Sequence, residues 1–416
     1  MSSAKVNIAV VGAGIVGLCC ALKLQMAGEQ VLLLDKEQPG EGCSKGNAGH
    51  FASEQVLPLA TPGLIRQIPK MLLDPMGPVA IRWPYLPQIT PWFMRFMLNT
   101  RQKPFTAGAE AIQPLNAASI PAWKNLLQQI DAQGQLKVEG SYLVFEDSEI
   151  YQHYQNSTLT LIQHYGVKAH QVSGDELREA EPALKDQIKH AVFFPETGHT
   201  ANPYQLCQTL FQHFVALGGH FQQTQVNHIQ QRGSGCQIQT QEQSLTMPKV
   251  LIATGAWSKQ LVQQATGIQV PLDTERGYHL MVPDSRELLT VPVSSADRKF
   301  IMTPMDEGMR LAGTVEFAGL KAPANMQRAH MLTQHAKALL PDLSEQTGES
   351  WMGFRPSLPD SLPVIDQVGS HGQILLAFAH QHLGLTQAAV TAELITGLYQ
   401  QKTPGIDCQP YRLDRF

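Results

Sequence analysis

The 416-residue sequence has little charge, few cysteines and no long apolar run, and each shortage excludes a class of protein. Charged residues make up 16% of the chain and the formal net charge is −4, so neither a nucleic acid nor a strongly acidic partner is predicted. No apolar segment is long enough to span a membrane, and the apolar stretch near the N-terminus lacks a convincing signal-peptide cleavage site. The six cysteines include no C-x-x-C pair, which predicts reduced thiols in a cytoplasmic protein. No spacing of His, Cys and carboxylate residues fits a metal site.

The most informative motif that is present is a glycine-rich turn close to the N-terminus. Gly12, Gly14 and Gly17 spell G-x-G-x-x-G between a predicted buried strand, Ile8–Val11, and a predicted helix, Leu18–Met26. The first glycine permits a tight turn, the second lets the backbone approach a pyrophosphate, and the third lets the helix pack closely on the strand. The free N–H groups at the start of that helix favour an anion.

A second apolar strand, Val31–Leu34, follows this helix and ends at Asp35. A carboxylate about twenty residues after the glycines can accept hydrogen bonds from a ribose diol. The strand, helix, strand and acidic residue together predict a dinucleotide-binding unit. The alternative is an ordinary glycine-rich turn inside a core.

Residues 61–105 differ in character from the rest of the chain. Prolines, aromatic and apolar side chains alternate there with basic residues, and short helices and turns are predicted. One interpretation is a lid or core element of a substrate domain. The other is a peripheral membrane contact through residues 64–101, since basic and aromatic residues together favour lipid interfaces.

Further along the chain, short apolar or alternating runs are typical of strands, and one longer amphipathic run is typical of a helix. The predicted strands include Leu136–Glu146, His220–Val226, Val250–Ala253, Tyr278–Val282 and Ile374–Phe378, and the predicted helix is Pro203–Leu217.

Several segments, taken in order, resemble the D-amino-acid oxidase superfamily of FAD-dependent oxidoreductases, and most closely the bacterial D-amino-acid dehydrogenase small subunit. The matching segments are GAGIVG (12–17), SKGNAG (44–49), TANP (200–203), ATGAWS (253–258), GFRP (353–356) with Pro359, Asp360 and Pro363, and HQHLGLT (380–386). The resemblance covers nearly the whole chain.

The resemblance implies that the bound dinucleotide is FAD. It places residues 44–49 along the flavin and the last strand–helix junction at the flavin pyrimidine edge, where helix N–H groups would stabilise negative charge on the reduced ring. The residues predicted to contact FAD are Gly12, Gly14, Ile15, Val16, Gly17, Asp35, Lys36, Ser44, Asn47, Ala48, Gly49, Val226, Thr254, Gly255, Trp257, His382, Gly384, Leu385 and Thr386.

The strand patterns and the resemblance together predict an α/β fold. Patterns typical of parallel and antiparallel strands alternate along the chain, which predicts two interleaved domains rather than two consecutive ones. A Rossmann-like FAD-binding domain is predicted at 1–60, 148–272 and 348–416. An α+β substrate-binding domain, built on a mostly antiparallel sheet, is predicted at 61–147 and 273–347.

Four residues are predicted to face the substrate. The resemblance assigns Arg355 to the substrate carboxylate, which a guanidinium holds well in a dry pocket; a structural ion pair is the alternative. Tyr278 could share carboxylate binding. His50 directly follows the flavin loop and could lie near the reactive edge of the ring, with a core histidine as the alternative. His382 belongs to the C-terminal turn.

That C-terminal turn departs from the family pattern. Many relatives carry Gly-His-Gly-His, whereas Ala379 and Gln381 replace the glycines here. The substitutions predict a slightly altered wall beside the flavin.

The function that the resemblance implies is oxidative deamination of D-amino acids, with D-proline-type imino acids included. Hydride would pass from the α-carbon to flavin N5, and the electrons to a quinone or another acceptor. The protein would be cytoplasmic, or peripheral on the inner face of the cell membrane. Three alternatives stay open: a glycine- or sarcosine-type amine oxidase using oxygen, a flavin-binding modification subunit acting on a protein partner, and an NAD-dependent dehydrogenase.

Overall fold

The computed structural model describes residues 6–63, 77 and 79–416, which form two large sheets covered by helices. Residues 64–76 and 78, part of the predicted membrane-contacting segment, lie outside the described residues. The described strands are, in chain order, β1 (Ile8–Val11), β2 (Val31–Asp35), β3 (His50–Phe51), β4 (Val79–Ile81), β5 (Ser141–Phe145), β6 (His170–Ser173), β7 (His190–Phe194), β8 (Gly198–His199), β9 (His220–Gln223), β10 (Val226–Arg232), β11 (Gly235–Thr240), β12 (Ser244–Met247), β13 (Lys249–Ile252), β14 (Asp273–Val282), β15 (Val293–Ser295), β16 (Phe300–Met305), β17 (Gly308–Phe317), β18 (Ser350–Ser357), β19 (Val364–Val368) and β20 (Ile374–Phe378).

Helices connect and cover these strands. The α-helices within the described residues are α1 (Ile15–Met26), α2 (Leu86–Asn99), α3 (Gln102–Gln129), α4 (Ser148–Tyr154), α5 (Thr160–His164), α6 (Gly174–Ala180), α7 (Pro203–Ala216), α8 (Ser258–Thr266), α9 (Gln327–Leu339) and α10 (Gly384–Tyr399), with a π-helical turn (Gln155–Leu159) joining α4 to α5. Short 3₁₀ turns lie at Trp83–Tyr85, Gln133–Gln135, Gly255–Trp257, Arg286–Leu288, Gln381–Leu383, Gln409–Tyr411 and Leu413–Arg415.

The first sheet has six strands in the order β19-β20-β13-β1-β2-β9, all parallel except β19. Its strands are apolar because both faces are covered. Ile8 and Val10 pack in the cluster formed with α1, α3, α7 and α10, whereas Ala9 and Val11 pack with α8 and the small sheet β10-β11-β12. The carboxyl ends of β1, β2, β13 and β20 therefore meet along one edge, where open parallel sheets bind their ligands.

The second sheet has nine strands in the order β18-β14-β17-β16-β15-β5-β7-β6, with β4 added beside β17. Most neighbours are antiparallel, and the β5–β15 and β4–β17 pairs are parallel. A mixed α/β architecture with a mostly antiparallel second sheet was predicted and is confirmed.

Sheet membership does not follow the predicted domain boundaries at every point. Strands β6, β7 and β18 belong to the nine-stranded sheet, although they fall within 148–272 and 348–416. Helix α3 falls within 61–147 but packs on α10, where Trp123 Nε1 donates to the Leu385 carbonyl (2.9 Å). The boundaries remain a prediction, and these contacts favour moving β6, β7 and β18 to the substrate unit and α3 to the other.

Two local predictions need correction. The predicted strand Leu136–Glu146 is shorter, because residues 136–140 form only an isolated bridge at Lys137 and Gly140 has φ = +89°, so that β5 begins at Ser141. The predicted strand His220–Val226 is two strands: β9 pairs in the parallel sheet, and β10 starts the small antiparallel sheet at Val226. Period-two patterns identify strands but not the sheet that each strand joins.

Candidate active site

A cavity of about 960 Å³ lies between the two sheets. The loops after β1, β2, β13 and β20 form one part of its wall, and β14, β17 and β18 form the opposite part. Of the predicted site residues, those that line it are Gly12, Gly14, Ile15, Val16, Asp35, Lys36, Ser44, Asn47, Ala48, His50, Val226, Thr254, Gly255, Trp257, Tyr278, Arg355, His382, Gly384 and Leu385.

The glycine turn adopts the geometry that its sequence predicts. Gly12 has φ = +109°, a conformation that side chains rarely tolerate. A Cβ on Gly17 would overlap the Gly12 carbonyl oxygen, so the third glycine lets α1 pack against the turn. Gly17 therefore supports the cavity wall from behind and does not line it.

Hydrogen bonds join the start of α1 to the loop 44–49, and the turn before α1 to the end of β2. The Ile15 N–H donates to Ser44 Oγ (2.9 Å), and the Ala13 N–H donates to Asp35 Oδ2 (2.6 Å). The Glu37 N–H donates to Asp35 Oδ1 (3.0 Å). Burial raises the pKa of the Asp35 carboxyl, and these two N–H groups oppose the rise. Each carboxylate oxygen keeps a further lone pair, so Asp35 can still accept from a ribose hydroxyl.

The loop 44–49 is anchored to the nine-stranded sheet. Arg310 of β17 donates through Nη1 to the Asn47 carbonyl (2.6 Å) and to the Lys45 carbonyl (3.2 Å). His279 of β14 donates through Nδ1 to the Gly46 carbonyl (2.9 Å), and burial lowers the pKa of His279 to about 3, so its ring is neutral. Sequence reasoning missed the Arg310 anchor, because nothing in its local sequence marks it.

Two predicted FAD contacts lie behind the wall rather than in it. Gly49 is followed by β3, and a Cβ there would lie 2.6 Å from the Thr200 carbonyl oxygen. Thr386 is fully buried, and its Oγ1 accepts from the Ala52 N–H (2.9 Å). Gly49 lies against Thr200 and Met305 and Thr386 against Ala52, so both residues support the wall without lining the cavity.

At the far end of the cavity, Lys36 and Trp257 close the space beside Val226, Thr254 and Gly255. The Lys36 ammonium lies 4.5 Å from the centre of the Trp257 ring, a cation–π geometry. All five residues belong to the set predicted to contact FAD.

The C-terminal turn keeps a glycine-like backbone without glycines. Ala379 has φ = +65° and Gln381 has φ = +50°, both in the left-handed region. Gln381 is held there by its Nε2, which donates to the Leu358 carbonyl (3.1 Å). His382, Gly384 and Leu385 line the cavity, so a turn with alanine and glutamine in left-handed positions still brings the start of α10 to the cavity wall.

Arg355 lies on the cavity face of β18, opposite Glu275 of β14. Its Nη1 donates to the Thr314 carbonyl (3.2 Å). Among the residues that the structure describes, no carboxylate forms an ion pair with it, so the structural ion pair weighed from the sequence does not exist there. Burial lowers the pKa of Arg355, and the charge of Glu275 opposes this shift. A desolvated guanidinium that faces a cavity and is not in contact with a carboxylate can bind an anion.

The backbone beside Arg355 leaves room for the guanidinium group. A Cβ on Gly277 would overlap it, so the glycine leaves the space that it fills. Opposite this point, β17 carries an extra residue relative to β14, and Thr314 in that bulge has φ = +61°. A β-branched residue in the left-handed region is strained, and the buried hydroxyl of Thr314 has no hydrogen-bond partner among the residues that the structure describes. The bulge directs the Thr314 carbonyl toward Arg355.

The prediction that Tyr278 shares carboxylate binding stays a prediction, and the contacts of its hydroxyl do not favour it. Its hydroxyl donates to Glu316 Oε2 (2.6 Å) and accepts from the Asn325 N–H (3.2 Å). Side chains alternate along β14, so Tyr278 and Arg276 point to one face while Gly277 points to the face of Arg355. Tyr278 borders the cavity from the strand, but its hydroxyl is committed elsewhere.

The two predicted histidines are in the cavity wall. His50 of β3 contacts Glu54 through Nε2 and Oε1 (3.1 Å). Burial, with Arg355 as a further cause, lowers the pKa of His382 to about 4, while Glu54 opposes the shift. Glu54 and Glu275 were not predicted, because a lone carboxylate in a loop or strand gives no sequence signal of its own.

Comparisons with known proteins identify this arrangement. A family model described as "DAO: FAD dependent oxidoreductase" matches residues 7–398. The chain belongs to the DAO family of FAD-dependent oxidoreductases. It is 31% identical over 418 residues to a D-amino-acid oxidase of Bradyrhizobium diazoefficiens, with 99% of each chain covered, and 28% identical to D-amino acid dehydrogenase 2 of Ralstonia nicotianae, with 98% of this chain and all of the relative covered. The glycine oxidase structure from Geobacillus kaustophilus has the same fold, with a TM-score of 0.77, 21% identity and 99% of both chains covered.

FAD is therefore the cofactor of this DAO-family protein, as predicted, and the NAD-dependent alternative is wrong. The residues present fit it. The start of α1 lines the cavity at Gly14 and Val16, where the end of a helix can offer backbone N–H groups to a pyrophosphate. Asp35 offers a carboxylate for a ribose, and the Arg310-anchored loop forms a wall of the same cavity as Arg355. The side chains that contact FAD or the substrate remain predictions. The structure gives the position of each of them relative to the cavity.

Proposed function

We propose that this FAD-dependent oxidoreductase is a dehydrogenase of free D-amino acids, including D-proline-type imino acids. The observation that carries the proposal is the buried guanidinium of Arg355, which lines the cavity and forms no ion pair with a carboxylate in the described part of the chain. Bound FAD supplies a two-electron acceptor for the α-C–H bond. The names of the sequence relatives, a D-amino-acid oxidase and a D-amino acid dehydrogenase, favour the D configuration.

The chain's own residues provide orientation. Arg355 would hold the α-carboxylate through two N–H groups, which fixes the position of the α-carbon. Glu275 reinforces the charge of Arg355 from the neighbouring strand, and its Oε1 is held by the Ser357 hydroxyl (2.6 Å). His382 stays neutral at physiological pH, so it forms part of the wall without repelling an ammonium or amine. The imino acid product then hydrolyses in water to a 2-oxo acid and ammonia.

Anaerobic titration with a panel of D- and L-amino acids, glycine and sarcosine tests this function. We expect D-amino acids to bleach the visible flavin spectrum and their L-enantiomers to leave it oxidised. Faster bleaching by glycine or sarcosine would favour the amine-oxidase alternative. No bleaching by any free amino acid would favour a subunit that acts on a protein partner.

An exposed apolar face favours a membrane-borne acceptor such as a quinone. Trp83 is 76% exposed, Met94 61%, Leu98 50% and Met97 40%, and all lie on α2 or the turn before it. The exposed Arg95 lies among them, and the sequence has no Asp or Glu between Asp74 and Glu110. A basic and apolar surface of this kind matches an anionic lipid headgroup layer. No helix among the described residues is long and apolar enough to cross a membrane, so the proposed contact is peripheral.

We expect the double variant Met94→Asp/Met97→Asp to bind anionic vesicles at least tenfold more weakly than the unmodified protein. Each apolar side chain removed from the lipid contact costs about 1.5–3 kcal/mol, and the new carboxylates are repelled by anionic headgroups. Co-sedimentation with vesicles of phosphatidylglycerol and phosphatidylcholine measures the change.

The matched control is Val215→Asp/Leu217→Asp, because these side chains are 46% and 50% exposed at the end of α7. It should leave vesicle binding unaltered. Equal binding by all three proteins, or equal binding to vesicles without phosphatidylglycerol, would show that α2 does not face a lipid surface.

A further inference from the structure

The turn between β15 and β16 carries a charged side chain that lines the cavity. This residue is Lys299, and its neighbours Asp297 and Arg298 do not line the cavity. The Asp297 carboxylate accepts hydrogen bonds from the N–H groups of Glu146 (3.0 Å) and Asp147 (3.2 Å). The Arg298 guanidinium donates to both carboxylate oxygens of Glu146, through Nε (2.5 Å) and Nη2 (2.8 Å). These contacts attach the turn to the end of β5 and leave Lys299 to face the cavity.

Lys299 has no counter-ion within the described part of the chain. No carboxylate there forms an ion pair with its ammonium, because Asp297, two positions away, binds backbone N–H groups instead. Lys299 keeps accessible surface, but burial still lowers the pKa of its ammonium, a shift that the charge of Asp297 opposes. The ammonium group therefore lacks part of its water shell. An ammonium in that state favours the binding of an anion.

The backbone of Lys299 is strained in the same way as that of Thr314. Lys299 has φ = +56° and Thr314 has φ = +61°, both in the left-handed region. The Lys299 N–H donates to the Ser295 carbonyl (3.0 Å), which closes the turn. Residues held in this region cost free energy, and in many proteins they occur where a side chain or carbonyl must be directed at a ligand.

Strand pairing places Lys299 on the same wall as Arg355. In the β16–β17 ladder the last pair is Phe300 with Gly313, so Lys299 lies beside Thr314, one step further along. The Lys299 carbonyl oxygen is 3.2 Å from the position of a Cβ on Gly313, in agreement with this placement. The Thr314 carbonyl in turn accepts from Arg355 Nη1 (3.2 Å). Neighbouring strands are about 4.8 Å apart, so the width of β17 separates the two cations.

No carboxylate of the described wall stands between these two cations. The carboxylates that line the cavity are Asp35, Glu37 and Glu275. The first two follow β2, on the opposite part of the wall. Glu275 pairs with Arg355 in the β14–β18 ladder, and the Arg355 side chain extends from there over Gly277 to β17. Its guanidinium therefore lies on the side of Glu275 that faces Lys299.

We propose that Lys299 binds the side-chain carboxylate of an acidic D-amino acid while Arg355 binds the α-carboxylate; this inference rests on the proposed D-amino-acid dehydrogenase function. Two carbon atoms separate the carboxylates of D-aspartate and three separate those of D-glutamate, so each substrate can reach two cations on nearby strands. The corresponding amides have nearly the same shape but no side-chain charge. D-aspartate and D-glutamate are therefore preferred over D-asparagine and D-glutamine.

Anaerobic reduction of the FAD-loaded enzyme by D-glutamate and D-glutamine tests the proposal. We expect the rate constant of flavin reduction divided by the substrate Kd to be about tenfold higher for D-glutamate, as is typical of one hydrogen bond between charged groups. In Lys299→Gln the two substrates should differ by less than about twofold. Equal values for the two substrates in the unmodified enzyme would overturn the proposal.

Three controls separate side-chain recognition from other roles of Lys299. D-alanine should reduce Lys299→Gln and the unmodified enzyme equally, and an equal loss for D-alanine and D-glutamate would overturn the proposal. Lys299→Arg keeps the charge and should keep most of the preference for D-glutamate. Lys321→Gln is the matched variant and should keep all of it, since Lys321 is an exposed lysine that forms no ion pair within the described residues and does not line the cavity.

A binding measurement without redox chemistry distinguishes this inference from the proposed function. Glutarate has two carboxylates and no amine, whereas butyrate has one carboxylate. Perturbation of the flavin spectrum should give a Kd about tenfold lower for glutarate, and Lys299→Gln should lose that difference. Equal Kd values would overturn the role of Lys299, even in an enzyme that oxidises D-alanine. If no D-amino acid reduces the flavin of the unmodified enzyme, the proposed function fails, and the glutarate comparison still decides whether Lys299 binds a second carboxylate.

Discussion

Replacing Arg355 with methionine should lower the specificity constant for D-amino acids by about 10²–10³-fold and leave FAD bound. Removing one partner from a buried, hydrogen-bonded charge pair costs about 2–5 kcal/mol, and about 1.4 kcal/mol corresponds to tenfold. The loss should be largest in KM, since the guanidinium binds the carboxylate in the ground state as well as in the transition state. Stopped-flow reduction under anaerobic conditions, at several substrate concentrations, measures both quantities.

Arg355→Lys should recover only part of this loss. The ammonium keeps the charge but cannot form two parallel N–H contacts with a carboxylate. Arg286→Met is the control, because Arg286 forms only long ion pairs of 3.8 and 3.9 Å with Asp306 and Glu287 and does not line the cavity. Normal kinetics in Arg355→Met would mean that the substrate carboxylate binds elsewhere.

Gly17→Ala should yield protein that purifies without the yellow colour of FAD. The added Cβ would overlap the Gly12 carbonyl oxygen, which forces α1 away from β1 and spoils the turn that binds the pyrophosphate. Overpacking in a core costs about 1–3 kcal/mol or more, and here the displaced atoms belong to the backbone of the cofactor site. The ratio of absorbance at 450 nm to protein concentration measures how much FAD stays bound. Titration of the purified apoprotein with FAD measures the remaining affinity.

Gly397→Ala provides the matched comparison within a helix. A Cβ at this position in α10 meets nothing within 4 Å, so alanine should leave FAD content unchanged and stabilise the helix by about 0.5–1 kcal/mol. A fully loaded, yellow Gly17→Ala protein would contradict the role assigned to the third glycine.

The cofactor end of the site was predictable because its information is local. Gly12, Gly14, Gly17 and Asp35 fall within one strand–helix–strand unit, and their spacing alone determines which backbone atoms come together. The Ala13 N–H contact with Asp35 spans only 22 residues.

The substrate end was less predictable because strand pairing decides it. The side chains of β14 alternate between two faces, and only pairing with β18 shows that Gly277 shares a face with Arg355 while Tyr278 does not. Likewise, the contact between Arg310 and Asn47 joins residues 263 positions apart.

His50 and Glu54 are close in sequence, but β3 and its turn, not a helix, bring them together, so no periodic pattern marks the pair.

Helix α3 shows a different limit of sequence reasoning. Pro114 and Pro121 lie inside this 28-residue helix, where each removes a backbone donor and predicts a break. Packing overrides that preference, because Trp123 and Leu115 are fully buried against the core shared with α10.

The most direct test of D-amino-acid oxidation at the Arg355 site is anaerobic single-turnover reduction of the flavin by a D-amino acid with hydrogen or deuterium on the α-carbon. We predict that the D-enantiomer bleaches the flavin, that α-deuteration slows the bleaching by a primary isotope effect, and that the L-enantiomer causes none. Bleaching by the L-enantiomer at an equal rate, or an unlabelled D-amino acid that leaves the flavin oxidised, would contradict the proposed function.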